Sequence, residues 1–188
     1  MKDVKRKSVG THFSMCVQPA FIVGTNNEDG TYNFAPITWV SVTNEKENDY
    51  LLVISMFGTK RTKQNVIRTG VLSVNLVSTD MLGLMDYFGT HHANDGIKDG
   101  ISYDVIRGDV IDVPILDASR WIYECEVVKS VELGESTTFF FHCSANRMPN
   151  CRRMDTFDVN LTKLEPVIYS GMYHSIGKLL GKIGDFSE

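Results

Sequence analysis

The run Tyr50-Leu51-Leu52-Val53-Ile54-Ser55-Met56-Phe57 is apolar nearly throughout and stops at Gly58. So short and so apolar a run reads as a strand buried on both faces. Such a strand needs neighbours to bond with and a layer over each face, so the rest of the chain must supply more strands. The candidates are legible. Residues 16–25 (CVQPAFIVGT) read as a strand, followed by the hairpin signal Asp29-Gly30. The segment from Asn33 to Val42 (NFAPITWVSV) continues extended, with Pro36 making a helix unfavourable. Residues 71–77 (VLSVNLV) form another strand. From Trp121 the pattern alternates, with Trp121, Tyr123, Cys125 and Val127 on one side and Glu124 and Glu126 on the other, as in a half-buried strand. Residues 137–145 (TTFFFHCSA) follow through Gly134 as a last long strand.

Only two helices are expected, both short. One spans 60–69 and is stopped by Gly70; the other, over 79–88, opens on Thr79-Asp80. Residues 89–103 are rich in Gly, Asn and Asp and read as a long loop. Many strands with few helices predict a mainly β fold, a β-barrel with helical additions. A chain of 188 residues suits one domain, 1–188, with 171–188 as a tail. The tail's Tyr173, Ile176, Leu179 and Leu180 need a surface, on the barrel or on a second subunit.

The formal charge of −4 argues against binding nucleic acid through bulk electrostatics. No apolar run is long enough for a membrane helix, and the N-terminal MKDVKRKSVG has no apolar signal core. The expected location is the cytoplasm. Cys16, Cys125, Cys143 and Cys151 are widely spaced, fitting neither a zinc site nor a disulfide framework, and Cys125 and Cys143 read as buried thiols. No metal is expected.

Positive charge is concentrated at one place, Lys60, Arg61 and Lys63, at a helix N-terminus where the macrodipole disfavours it. Free backbone N–H groups, the hydroxyls of Thr59 and Thr62 and three cations within a turn suit a phosphomonoester. The alternative is a solvated helix start capped by Thr59 or Thr62. No G-x-x-x-x-G-K-[ST] occurs, which disfavours nucleotide triphosphate hydrolysis, and no G-x-G-x-x-G offers a dinucleotide fold.

The order of these pieces carries more than any one of them. A hairpin, then Asn33-Phe34-Ala35-Pro36-Ile37-Thr38-Trp39, an apolar strand ending Ser55-Met56, a Lys-Arg-Thr-x-x-Asn helix, VLSVNL and the ending LEPVIYSGMYHSIGKLLGKIG together resemble the flavin reductase-like FMN-binding split barrels, which include flavoredoxin. The resemblance covers about Ala20 to Gly184. It implies a homodimeric split β-barrel with non-covalent FMN near the subunit interface. Thr38, Trp39 and Val40 would lie beside the ring system, Ser55 and Met56 would line it, and Lys60, Arg61, Thr62 and Asn65 would hold the phosphate and ribityl hydroxyls. By residue type alone, Trp39 and Met56 read as core and Asn65 as surface.

The implied activity is that of an FMN-dependent oxidoreductase, either an NAD(P)H:flavin reductase or a flavoredoxin-like electron carrier with a redox protein partner. Alternatives are a flavin-storage module and a barrel for another phosphorylated cofactor. No catalytic acid or base is required. Many relatives carry Gly-Asp-His where this chain has Gly134-Glu135-Ser136, and a Ser-Gly-Arg loop followed by Asp-Lys-Phe that only Lys98 echoes. These departures surround the open face of the flavin, so FMN is better supported than NAD(P)H. His91 and His92 in the long loop either are solvated or approach the flavin or its reductant. His142 is expected to be satisfied by a neighbour of its strand, and His174 in the tail is within reach of a partner subunit's site or solvated; none has metal-ligand spacing to another.

Overall fold

The computed structural model describes residues 16–47, 49–91, 101–147 (backbone only for 144–147) and 161–181, with Ser8 and Asp185. His92, Lys98 and Cys151 lie outside them. Seven strands form one antiparallel sheet: β2 (Phe21–Asn26), β3 (Tyr32–Ile37), β4 (Val40–Lys46), β5 (Asp49–Phe57), β6 (Val71–Leu76), β9 (Ile122–Leu133) and β10 (Ser136–Arg147). Their order is β3-β2-β6-β9-β10-β5-β4. Phe21 and Val23 of β2 share one core with Ile54 and Met56 of β5, although three strands separate them in the sheet. The sheet therefore rolls up around its own apolar face. Its two edges, β3 and β4, are consecutive in the chain and joined by Thr38 and Trp39, and the barrel is split there.

The expected strand 16–25 is two pieces, β1 (Gln18–Pro19) and β2. At Ala20 the chain changes partners: its N–H donates to Val167 O, and its own carbonyl accepts from Val77 N–H. Proline at 19 has no N–H to continue a ladder through that point. The hairpin at Asp29-Gly30 forms as expected, with Gly30 at φ +82° and the Asp29 carboxylate accepting from Thr31 N–H and Oγ1–H. Helix α1 (Arg61–Thr69) begins one residue late, with Lys60 at the cap position, and ends at Gly70 in the left-handed region. The second helix opens as a 3-10 turn, Thr79–Met81, and continues as α2 (Leu82–Thr90), which uses up the start of the expected loop.

Two stretches hold more than was expected, although the LEPVIYSG stretch already reads as strand-like in the sequence. A small hairpin, β7 (Val105–Arg107) with β8 (Pro114–Leu116), lies against the outside of β2 and β6. A helical turn α3 (Leu161–Leu164) leads to a second hairpin, β11 (Val167–Tyr169) with β12 (Tyr173–Ser175), turning near Gly171. The tail's Leu179 and Leu180 are 87% and 77% exposed, so the barrel does not cover them.

Glu124 corrects the alternation expected for β9: it is fully buried, while Glu126 is exposed. Its carboxylate accepts three backbone hydrogen bonds, from Asp109 (2.9 Å), Val110 (2.9 Å) and Ile111 (2.7 Å), in the β7–β8 loop. Neighbouring outward side chains work the same way. Ser73 donates to Pro114 O, and Asn75 donates to Ile22 O while accepting from Leu116 N–H. The sheet's outer face is polar here because it binds another hairpin rather than water.

Gly24 sits where that hairpin comes closest. A Cβ there would lie 2.6 Å from Ser73 Oγ and 2.7 Å from Phe34 Cε1, and would also strike Pro114 O. We expect Gly24→Ala to cost about 1–3 kcal/mol, the usual penalty for overpacking a filled interior. Urea unfolding should show a lower midpoint with an unchanged slope; an unchanged midpoint would contradict the packing.

Candidate functional site

The split between β3 and β4 opens into a cleft of about 550 Å³, within the roughly 300–1,000 Å³ usual for small-molecule sites. One end is the start of α1. Gln64 N–H to Lys60 O (3.0 Å) is the first bond of the helical ladder, which leaves the N–H groups of Arg61, Thr62 and Lys63 without intrahelical acceptors. Lys60, Arg61 and Lys63 all line this end, with Thr59 and Thr62. Lys63 is committed elsewhere: its Nζ donates to Glu135 O (2.9 Å), the carbonyl that also accepts from Gly58 N–H (3.0 Å). Lys60 and Arg61 are exposed, and their side chains make no hydrogen bond or ion pair among the described residues. Arg61 is near enough to Asp29 to contribute, after the Thr31 hydrogen bonds, to holding that carboxyl below its usual range.

Neither Thr59 nor Thr62 caps the helix; Lys60 occupies the cap with no side-chain bond. Thr62 is buried instead, its Oγ1 accepting from Asn33 Nδ2 at 2.8 Å. Asn65, one turn on, is also buried and does not line the cleft. Its Nδ2 donates to Thr25 Oγ1 (3.0 Å) and Asn27 Oδ1 (2.9 Å). This amide-hydroxyl network fastens α1 to β2 and the turn after it, so Asn65 positions the helix start from behind.

The walls come from the strand ends. Thr38 and Trp39 line one side, and Trp39 is 58% exposed, so it is not a core aromatic. Val40 turns away and packs half-buried against the barrel core. Ser55 and Met56 continue that wall from the end of β5, Ser55 N–H donating to Trp39 O (3.2 Å). Ser55 Oγ shares a hydrogen bond with Thr138 Oγ1 (2.7 Å), and Met56 is at once cleft wall and core, only 5% exposed.

The far end falls where the sequence placed the start of a long loop beside the open face of the flavin, but it is built by a helix end. Phe88, Gly89 and His91 close it from the end of α2, facing Phe34 and Pro36. Phe88 stacks on Phe34 with ring centroids 5.7 Å apart, and Gly89 leaves room beside Pro36. The His91 ring stacks on Tyr87 (4.2 Å), and its Nδ1 lies 3.1 Å from Tyr87 O. Thr90 Oγ1 lies 3.0 Å from the same nitrogen, so the ring is held from the helix end by two groups. His174 lies exposed on β12 and His142 on β10 near Glu45 and Asp49, neither of them among the cleft residues.

An elongated cleft with cations and free N–H groups at one end and aromatic and aliphatic walls beyond suits a flat ring carrying a phosphate. The flavin reductase like domain matches residues 13–171, most of the chain. The chain belongs to the flavin reductase-like family. A flavin reductase-like protein is a flavin-using oxidoreductase, and the fold agrees. Flavoredoxin from Methanosarcina acetivorans superposes with a TM-score of 0.85 at 20% identity, covering 97% of each chain. Flavoredoxin of Desulfovibrio vulgaris (Miyazaki F) gives 0.82 at 19% identity, covering 98% of this chain and 100% of the other. The flavin reductase of styrene monooxygenase from Pseudomonas putida S12 gives 0.70 at 15% identity over 89% and 96% of the two chains. No curated protein matches the chain in sequence. Among the described residues of this flavin reductase-like chain, no helix is long and apolar enough to cross a membrane.

Proposed function

We propose that the protein is an FMN-dependent oxidoreductase of the cytoplasm that works as a homodimer. The observation that carries this reading is the pair of exposed cations, Lys60 and Arg61, whose side chains make no hydrogen bond or ion pair among the described residues, beside the free N–H groups of α1 at one end of the cleft. A terminal phosphate is the anion such a site fits best. Lys60, Arg61 and the backbone of residues 61–63 hold that phosphate, with Thr62 Oγ1 available as a donor because Asn33 fills its acceptor side. Thr38, Trp39, Ser55 and Met56 flank the ring system, and Asn65 fixes the helix that carries the phosphate site. FMN, once bound, supplies the electron chemistry; the chain's task is to bind it, orient it and limit water around it.

Electrons come from NAD(P)H or from a redox protein partner. His91, on the cleft wall, is the side chain placed to meet whatever docks over the ring. The homodimer accounts for large apolar groups left on the surface, among them Trp39, Phe57, Leu179 and Leu180. It also accounts for a second, almost wholly apolar cleft of about 490 Å³ beside Trp121 and Ile176.

The purified protein is expected to be yellow, or to take up FMN with quenching of flavin fluorescence, and to release FMN on heating. A colourless protein that binds no FMN would sink the proposal. Anaerobic NADH and NADPH then divide its branches. Rapid bleaching means a reductase, and persistent colour means a carrier fed by a protein.

A further inference from the structure

Cys125 on β9 and Cys143 on β10 stand directly opposite one another in the strand register. Both side chains face the barrel interior, Cys125 as part of the core and Cys143 packed against it. Their sulfurs are 3.7 Å apart. Opposed residues on antiparallel strands hold their Cα atoms about 4.5–5.5 Å apart, inside the roughly 4.4–6.8 Å that a disulfide spans. The sulfurs must close to about 2.05 Å, a distance within reach of side-chain rotation. The register also slips between Cys143 and Ala145, which gives the backbone slack beside one partner.

We propose that Cys125 and Cys143 form a reversible dithiol–disulfide site, oxidised by low-molecular-weight disulfides such as oxidised glutathione. Neither cysteine lines the flavin cleft, and the site stands independently of what fills that cleft. Cys143 is the point of entry, since it is half-buried while Cys125 is fully buried. The two thiols also differ in acidity in the sense this order needs. The hydrogen bond from Cys125 holds the Cys143 thiol below its usual pKa, whereas burial pushes Cys125 well above it. The thiolate is the attacking form.

Cys143 thiolate attacks one sulfur of the reagent, forming a mixed disulfide and releasing one small thiolate. Cys125 Sγ then attacks Cys143 Sγ and displaces the second, which leaves with the proton of Cys125. Two protein thiols lose two electrons, and the reagent's disulfide bond gains them. Excess dithiol reverses both steps.

The test uses the full chain with Cys16→Ser and Cys151→Ser, which leaves only the pair. After oxidised glutathione, thiol titration in denaturant is expected to find none of the two thiols free. The intact mass should fall by two hydrogens, and Tm should rise by roughly 5–10 °C. Dithiothreitol should restore the starting values. Adding Cys125→Ser should instead trap one glutathione adduct on Cys143, while adding Cys143→Ser should leave Cys125 unmodified. Peptide mapping of the unsubstituted chain should recover a linked Cys125–Cys143 peptide, which guards against a variant that folds poorly. Two thiols still free, or a stable adduct in place of the internal bond, would overturn the proposal.

Discussion

Replacing Lys60 and Arg61 together by alanine is expected to weaken FMN binding about a hundredfold or more while changing riboflavin binding by less than about threefold. Both ligands carry the same ring, so the comparison isolates the phosphate. Neither side chain makes a hydrogen bond or ion pair among the described residues, so their loss breaks no such bond of the fold. The third cation of the cluster makes a useful contrast. Lys63 is tied to the Glu135 carbonyl, so Lys63→Ala should loosen the β9–β10 turn and lower affinity by a smaller factor. Salt is a second readout: FMN affinity of the parent protein should fall as ionic strength rises, and the double variant should lose most of that dependence. Equal losses for FMN and riboflavin would refute the phosphate assignment.

Glu124→Ala should lower stability by about 2–4 kcal/mol, measured as a shift of the urea midpoint. The carboxylate is buried and accepts from three consecutive N–H groups, Asp109 to Ile111, so its removal leaves three donors short of an acceptor at one stroke. The loop is partly open to solvent, and water relieves some of that cost. Glu124→Gln keeps one acceptor oxygen but brings an NH₂ group against the other donors, and should recover less than half of the loss. Gly108 belongs to the same arrangement, because a Cβ there would lie 2.6 Å from Glu124 Oε2. A loss below about 0.5 kcal/mol for Glu124→Ala would mean that the loop does not depend on this anchor.

Strand existence and order were legible because β5, β6, β9 and β10 announce themselves by apolar runs and alternation, and α1 by its cationic start and Gly70. Those signals are local. Closure of the barrel is not, since β2 meets β5 only through a shared interior. The β7–β8 hairpin was missed because its strands are three residues each, too short for any period to show. Glu124 was misplaced for a related reason: alternation distinguishes the two faces of a strand but not water from a covering hairpin. In the cleft, Lys60, Arg61, Thr62, Thr38, Trp39, Ser55 and Met56 come together. Asn65 and Val40 lie just behind the surface. That Phe88 and Gly89 form a wall from a helix was hidden, because α2 runs past the point where glycine and histidine suggest a loop.

The polar outer face of β6 has a consequence for how this chain can drift over generations. On a half-buried strand, every second position is ordinarily open to neutral change. Here Leu72, Val74 and Leu76 face the barrel core, while Ser73 and Asn75 are bonded to the hairpin outside. Neither set is idle, so lasting change in this strand requires a matching exchange at Pro114–Leu116 or in the opposite wall.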